Sequence, residues 1–157
     1  MSSASPPTSL VIEPVAGALG AELSGVDLAR PLARDMAAAM RRAWLDHGVI
    51  FFRDQDLPPD AFLRFARLFG EPIEYPFVKG LPEHPEIIPV LKLASERINF
   101  GGLWHSDTTY LAQPPLATLL QAIETPAFGG DTLFASTHAA YGAAFLRGLV
   151  TREIERM

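Results

Sequence analysis

Two side chains in the middle of the chain, His105 and Asp107, have the types and the spacing to hold a metal ion. They lie within the stretch Phe100-Gly101-Gly102-Leu103-Trp104-His105-Ser106-Asp107-Thr108-Thr109-Tyr110. In a β-strand, residues two apart project from one face, so an imidazole and a carboxylate at this spacing can close on one ion. With a second imidazole from elsewhere they form the facial triad of non-haem Fe(II) oxygenases, which leaves coordination positions open. The motif is short. With 4 His in 157 residues, about 0.2 His-x-Asp pairs arise by chance. The bland reading of His105-Ser106-Asp107 is a polar turn after a buried Trp104.

The other histidines compete poorly. His84-Pro85-Glu86 has the same spacing, but Pro82 and Pro85 oppose a regular strand, so it reads as a surface loop. His47 falls at a helix end, where it packs or answers the helix dipole. His138 falls in the exposed first turn of a helix and reads as non-functional. The absence of cysteine excludes a disulfide scaffold, a zinc–thiolate site and a cysteine nucleophile. Neither G-x-G-x-x-G, G-K-[ST] nor G-x-S-x-G occurs, which removes the common phosphate-loop and serine-hydrolase signals.

The elements that must position the pair belong to an ordinary globular chain. A length of 157 residues suits one domain, and 48% hydrophobic with 20% charged residues suits a buried core. The 12 Gly and 14 Pro imply many turns and a loop-rich, β-containing fold. A net charge of −5 with no Lys/Arg cluster argues against nucleic acid. The N-terminus lacks the charged and apolar regions of a signal peptide. No apolar run approaches the ~18 residues of a membrane span. The expectation is a cytoplasmic protein with no membrane partner.

Residues 1–9 read as a disordered Ser/Pro-rich tail. Leu10 to Glu13 and Gly17 to Gly25 read as a strand, then a turn and a second strand. A helix is expected from a capping Asp35 through Met36, Met40, Ala43, Trp44 and His47, stopped by Gly48. Val49 to Phe52 reads as a buried strand. A second helix follows Leu57-Pro58-Pro59-Asp60, with Phe62, Phe65, Ala66 and Phe69 turned to the core. After a Pro-rich loop from Glu71 to Glu86, strands are expected over Ile87–Lys92, Leu116–Ile123 and Thr132–Ala135. A tight turn at Phe128–Thr132 precedes the last of these, and Ser136 or Thr137 caps a final helix through Phe145.

Six segments then fall in order: Gly17 to Leu28, Gly48 to Gln55, Phe69-Gly70-Glu71, Trp104 to Asp107, Pro114-Pro115, and Gly129-Gly130-Asp131-Thr132. Together they resemble the N-terminal half of the taurine dioxygenase (TauD/TfdA) family of Fe(II)- and 2-oxoglutarate-dependent oxygenases, from about Ile12 to Tyr141. The resemblance implies a mixed α/β, mainly β fold. This is a double-stranded β-helix (jelly-roll) with flanking helices, incomplete at the C-terminus, with residues 10–157 as its N-terminal portion. It implies Fe(II) and 2-oxoglutarate as cofactors, and a small-molecule substrate and O2 as partners, and it leaves homo-oligomerisation open.

Within that resemblance His105 and Asp107 are two of three iron ligands, and the Thr132 hydroxyl meets a carboxylate of 2-oxoglutarate. Trp104 packs behind the ligand strand, and no catalytic residue is implied beyond the metal ligands. The family's second His and its keto-acid-binding Arg fall past Met157, so the chain is expected to be inactive alone. The final stretch, Phe145 to Met157, departs from the family pattern, as a truncation or a reading-frame change would make it. The implied reaction is hydroxylation of a small organic acid, sulfonate, sulfate ester or aryloxy acid. The sulfonate-reading positions of taurine-specific members correspond to Tyr75, Val78 and Gly101, so taurine is not expected, and Gly101-Gly102 suggests a roomier mouth. The alternatives are a non-catalytic remnant or interaction module, and a cupin-like metal protein without 2-oxoglutarate.

Overall fold

The fold was obtained as a computed structural model that describes residues 9–93, 95–97 and 101–146. The expected tail, apart from Ser9, lies outside the described residues, as does the chain from residue 147. Among the described residues the elements run β1 (Val11–Pro14), β2 (Ala21–Ser24), α1 (Arg34–His47), β3 (Ile50–Phe51), α2 (Pro59–Ala66) and α3 (Thr137–Leu146). They fall into two compact units. The first gathers the residues up to Asp27, Leu32–Gln55, and those from Glu124 on; the second gathers Leu28–Pro31 and Asp56–Ile123.

In the first unit, β1 and β2 form an antiparallel hairpin with Val11 opposite Ser24 and Pro14 opposite Ala21. Gly20 turns the corner at φ 98, where a Cβ would lie 2.9 Å from a Val15 methyl. That turn therefore demands glycine. β2 alternates as a half-buried strand should, with Ala21 and Leu23 buried and Ser24 exposed. The chain returns through α1 to place β3 parallel to β2, Ala21 opposite Ile50, in the order β1-β2-β3.

The apolar spacing of α1 appears as packing: Met40 and Ala43 are buried, and Met36, Trp44 and His47 are half-buried on the same side. Gly48 closes the helix at φ 72, its N–H donating to the Trp44 carbonyl at 2.7 Å. The start differs from expectation. Ala33 occupies the cap position, and Asp35 lies inside the first turn, its Oδ1 accepting the Met36 N–H at 2.9 Å. There it favours the helix through the dipole rather than as a cap. β3 is also shorter than the expected Val49–Phe52 strand and only half-buried, because it pairs with β2 on one side alone. In the same unit Ser136 caps α3: its Oγ accepts the Ala139 N–H at 3.1 Å and its carbonyl the Ala140 N–H at 3.0 Å.

The second unit is built on α2, which begins at Pro59, a residue pre-set for a first helical position. Ala61, Leu63 and Phe65 are buried with Leu28 and Leu57. Phe65 meets Phe69 edge-to-face at 5.4 Å between ring centroids. The phenylalanine stripe is therefore core at Phe65, while Phe62 and Phe69 are half-buried. From residue 67 to 123 no helix or strand forms among the described residues. Ile87–Lys92 and Leu116–Ile123, and in the first unit Thr132–Ala135, are not strands. An extended segment becomes a strand only when a neighbour takes up its backbone N–H and C=O groups, and these have no ladder partner among the described residues. The architecture shown is thus a small mixed sheet with helices, with more helix than strand.

Candidate metal centre

The expected strand around His105 is absent, yet the pair converges. His105 Nε2 lies 3.0 Å from Asp107 Oδ1. A turn, rather than a pleat, produces this. Gly101 takes φ 70, and a Cβ there would sit 3.3 Å from His105 Cε1, so glycine lets the ring fold back over the loop. Thr108, only 7% exposed, adopts φ 47, an uncommon conformation for a β-branched residue, and its carbonyl accepts the Leu111 N–H at 3.1 Å. The Ser106 and Thr109 hydroxyls are 3.1 Å apart and close the turn.

Each ligand candidate is fixed by a second contact. His105 Nδ1 lies 2.7 Å from the Leu103 carbonyl, which can only accept, so Nδ1 donates there; Nε2, facing the Asp107 carboxylate at 3.0 Å, carries a hydrogen when the ring is protonated and a lone pair when it is neutral. Asp107 Oδ2 accepts a hydrogen bond from the Thr118 hydroxyl at 3.0 Å, leaving Oδ1 for the imidazole side. The Leu103 carbonyl raises the His105 pKa above its ordinary 6.5; desolvation opposes this and the Asp107 carboxylate adds to it. Both side chains are about half exposed, at 55% and 51%.

The neighbouring expectations divide. Trp104 is 71% exposed, so it does not pack behind the ligand residues in this structure. Without a strand there is no sheet face behind the pair for its indole to cover. Thr132 follows Gly129 and Gly130, at φ 74 and 75, as the glycine-rich turn required, and it is exposed. It belongs to the first unit, whereas His105 and Asp107 belong to the second. His84 faces Asp60 at 3.8 Å, in a turn closed by backbone bonds among Leu81, His84 and Ile87. His138 is exposed in the first turn of α3, and His47 closes α1. No group of three His, Cys, Asp or Glu able to hold a metal occurs among the described residues.

Beside the turn, Tyr75 contacts Phe77 edge-to-face at 5.4 Å and Phe77 approaches Tyr110 at 6.3 Å. Desolvation first, and then Tyr75, holds the Tyr110 phenol above its usual range. The Pro-rich loop forms an open groove of about 340 Å³ lined by Tyr75, Phe77, Val78, Lys79, Leu81 and Pro85. Sequence reading passed over Tyr110 and Thr118. The one available signal for Thr118 was a hydroxyl inside an otherwise apolar run, Leu116-Ala117-Thr118-Leu119-Leu120.

Residues 12–144 match the taurine catabolism dioxygenase TauD, TfdA family, a span that includes His105, Asp107 and Thr132. The chain belongs to this family. It is 38% identical over 133 residues to an alpha-ketoglutarate-dependent sulfate ester dioxygenase of Pseudomonas putida, covering 84% of this chain and 43% of that protein. It is 33% identical over 137 residues to an alkylsulfatase of Acinetobacter baylyi, covering 87% of this chain and 42% of that one. The crystal structure of a taurine dioxygenase from Burkholderia xenovorans is 37% identical, with a TM-score of 0.46 over 49% of this chain and 28% of that chain. The chain spans under half the length of these relatives.

Proposed function

We propose that the protein is the N-terminal portion of an Fe(II)- and 2-oxoglutarate-dependent dioxygenase, with His105 and Asp107 as two of its iron ligands. The observation that carries this is the 3.0 Å between His105 Nε2 and Asp107 Oδ1. Two donors bound to one ion at roughly 2.1 Å each, on adjacent octahedral positions, stand about 3.0 Å apart. The ring orientation fits as well: with Nδ1–H directed at the Leu103 carbonyl, loss of the second ring proton leaves the Nε2 lone pair on the carboxylate side, where a metal would sit. A nitrogen and a hard oxygen suit Fe(II), and both are open to solvent and to reactants.

When bound, the metal with the keto acid and O2 supplies the oxidant that hydroxylates an unactivated carbon, and the protein's task is to hold the ligands and aim the substrate. Thr132 is proposed to donate its hydroxyl to a carboxylate of 2-oxoglutarate. The complete domain is proposed as a double-stranded β-helix (jelly-roll), to which residues 10–157 contribute the first portion. The half-buried and exposed side chains that alternate from Pro115 to Ala122 suit a strand of that fold. With no third donor beside the pair among the described residues, the chain alone is expected to hold iron weakly and to be inactive.

The names of the two relatives point to sulfate esters and alkyl sulfates. A small organic acid, sulfonate or sulfate ester is therefore the proposed substrate class. Tyr75, Val78 and Gly101 at the sulfonate-reading positions speak against taurine. A cytoplasmic location is proposed; no helix among the described residues is long and apolar enough to cross a membrane. The exposed Leu103, Leu120, Ile123 and Phe128 support a second reading, an interaction module without catalysis.

The test is 2-oxoglutarate-dependent succinate formation by a chain extended through the rest of the family domain. The parent is expected to turn over and His105→Ala to lose it. Equal activity in both would remove the pair from the metal site, and no activity or metal binding in the extended parent would favour the module.

A further inference from the structure

Asp107 is gripped from both sides, and only one side belongs to the ligand pair. Oδ1 faces His105 Nε2 at 3.0 Å, while Oδ2 accepts the Thr118 hydroxyl, also at 3.0 Å, from eleven residues along the chain. We propose that Thr118 is a positioning residue for the metal-binding carboxylate, occupying one oxygen so that the other is presented beside His105; this rests on the metal reading of the pair.

The torsion that turns a carboxylate about its own axis is soft and nearly two-fold. An unrestrained Asp107, half exposed as it is, would exchange its two oxygens or offer both at once. A hydroxyl donor on Oδ2 removes that freedom and leaves Oδ1 as a single donor, which keeps an extra coordination position open. Threonine suits the task because branching at Cβ stiffens χ1 and fixes where its oxygen stands. The same bond ties the Leu116–Ile123 segment to the His105 turn, so metal geometry depends on a segment that contributes no ligand. The environment offers Thr118 no burial to satisfy: it lies on the exposed side of its segment, between half-buried Ala117 and Leu119.

The experiment compares the 157-residue chain with Thr118→Val, Thr118→Ser and Asp107→Ala, each first checked by circular dichroism for parental fold. Mn(II) affinity is read from the electron paramagnetic resonance of the free ion, and the Asp107 carboxyl 13C resonance is read in the metal-free chain. Thr118→Val is expected to weaken Mn(II) binding roughly ten-fold and to move the Asp107 resonance. Thr118→Ser, which keeps the hydroxyl, is expected to leave both near parental, and Asp107→Ala to abolish binding. Parental affinity and an unmoved resonance in Thr118→Val would overturn the role of Thr118 and leave the metal pair standing. Undiminished binding in Asp107→Ala would overturn the metal reading itself, and the positioning role with it.

Discussion

His105 is oriented by the backbone two residues before it, and that contact has a pH consequence. The Leu103 carbonyl raises the imidazole pKa above 6.5, against desolvation and with the Asp107 carboxylate adding in the same direction. A raised folded-state value means that the protonated ring stabilises the turn below about pH 6.5, and that this is lost as pH rises through the raised value. Metal binding runs the opposite way, because the ion needs the lone pair that the proton occupies. Mn(II) affinity, titrated from about pH 6 to about 8, is expected to climb through the raised value; a flat profile would take His105 out of the ligand set. Gly101 sets the ring's approach. Gly101→Ala forces a Cβ to 3.3 Å from His105 Cε1 at φ 70, and is expected to cost about 1 kcal/mol and to weaken Mn(II) binding. At this scale the pair was legible, since His-x-Asp names two donors that chemistry brings together. The Thr118 hydroxyl and the exposure of Trp104 were not, because neither follows from spacing: each depends on what the fold sets beside the turn.

The helices and the three strands of the β1-β2-β3 sheet follow the sequence closely, with α2 ending at Ala66 rather than at Phe69. The strands expected beyond Glu86 do not form among the described residues, for one physical reason. A helix satisfies its own backbone, so the Met36, Met40, Ala43, Trp44 and His47 spacing and the terminal Gly48 suffice to define α1. The cap was misplaced because Asp35 favours a helix start equally well from the first turn, with Ala33 two residues further out. A strand depends on a partner, and Ile87–Lys92 and Leu116–Ile123 have the composition without the ladder. The consequence for stability is that packing beneath α1 carries much of the first unit. Met40 is fully buried, so Met40→Ala is expected to cost 2–5 kcal/mol, or about that range, as cavity and transfer terms combine. Gly48→Ala, forced to φ 72, is expected to cost about 1 kcal/mol. Urea unfolding followed by far-ultraviolet circular dichroism orders the two: a Gly48→Ala midpoint lower than that of Met40→Ala would place the larger share in the helix stop rather than in the core.

Each unit leaves large apolar side chains in water. In the second these include Leu103, Leu116, Leu120 and Ile123; in the first, Phe128, Leu133 and Phe134. Exposed single residues are common, but this many in segments with strand composition and no ladder mark surface that is unstable in isolation. Two forces then act together: apolar area seeks burial, and unpaired backbone seeks hydrogen bonds, so strand-to-strand association answers both. The 157-residue chain by itself is therefore expected to bind a hydrophobic dye and to self-associate with rising concentration, as read by light scattering on size-exclusion chromatography. Leu120→Lys, which sets a charge on the exposed side of the Leu116–Ile123 segment, is expected to lower association without disturbing α1 or α2. Extending the chain through the rest of the family domain is expected to suppress dye binding and association and to raise Mn(II) affinity. Joint movement of all three readouts is expected because the rest of the domain both covers these segments and supplies the third metal ligand. If extension suppressed association while metal affinity stayed as weak as in the short chain, the added part would cover these segments without supplying a third ligand to His105 and Asp107.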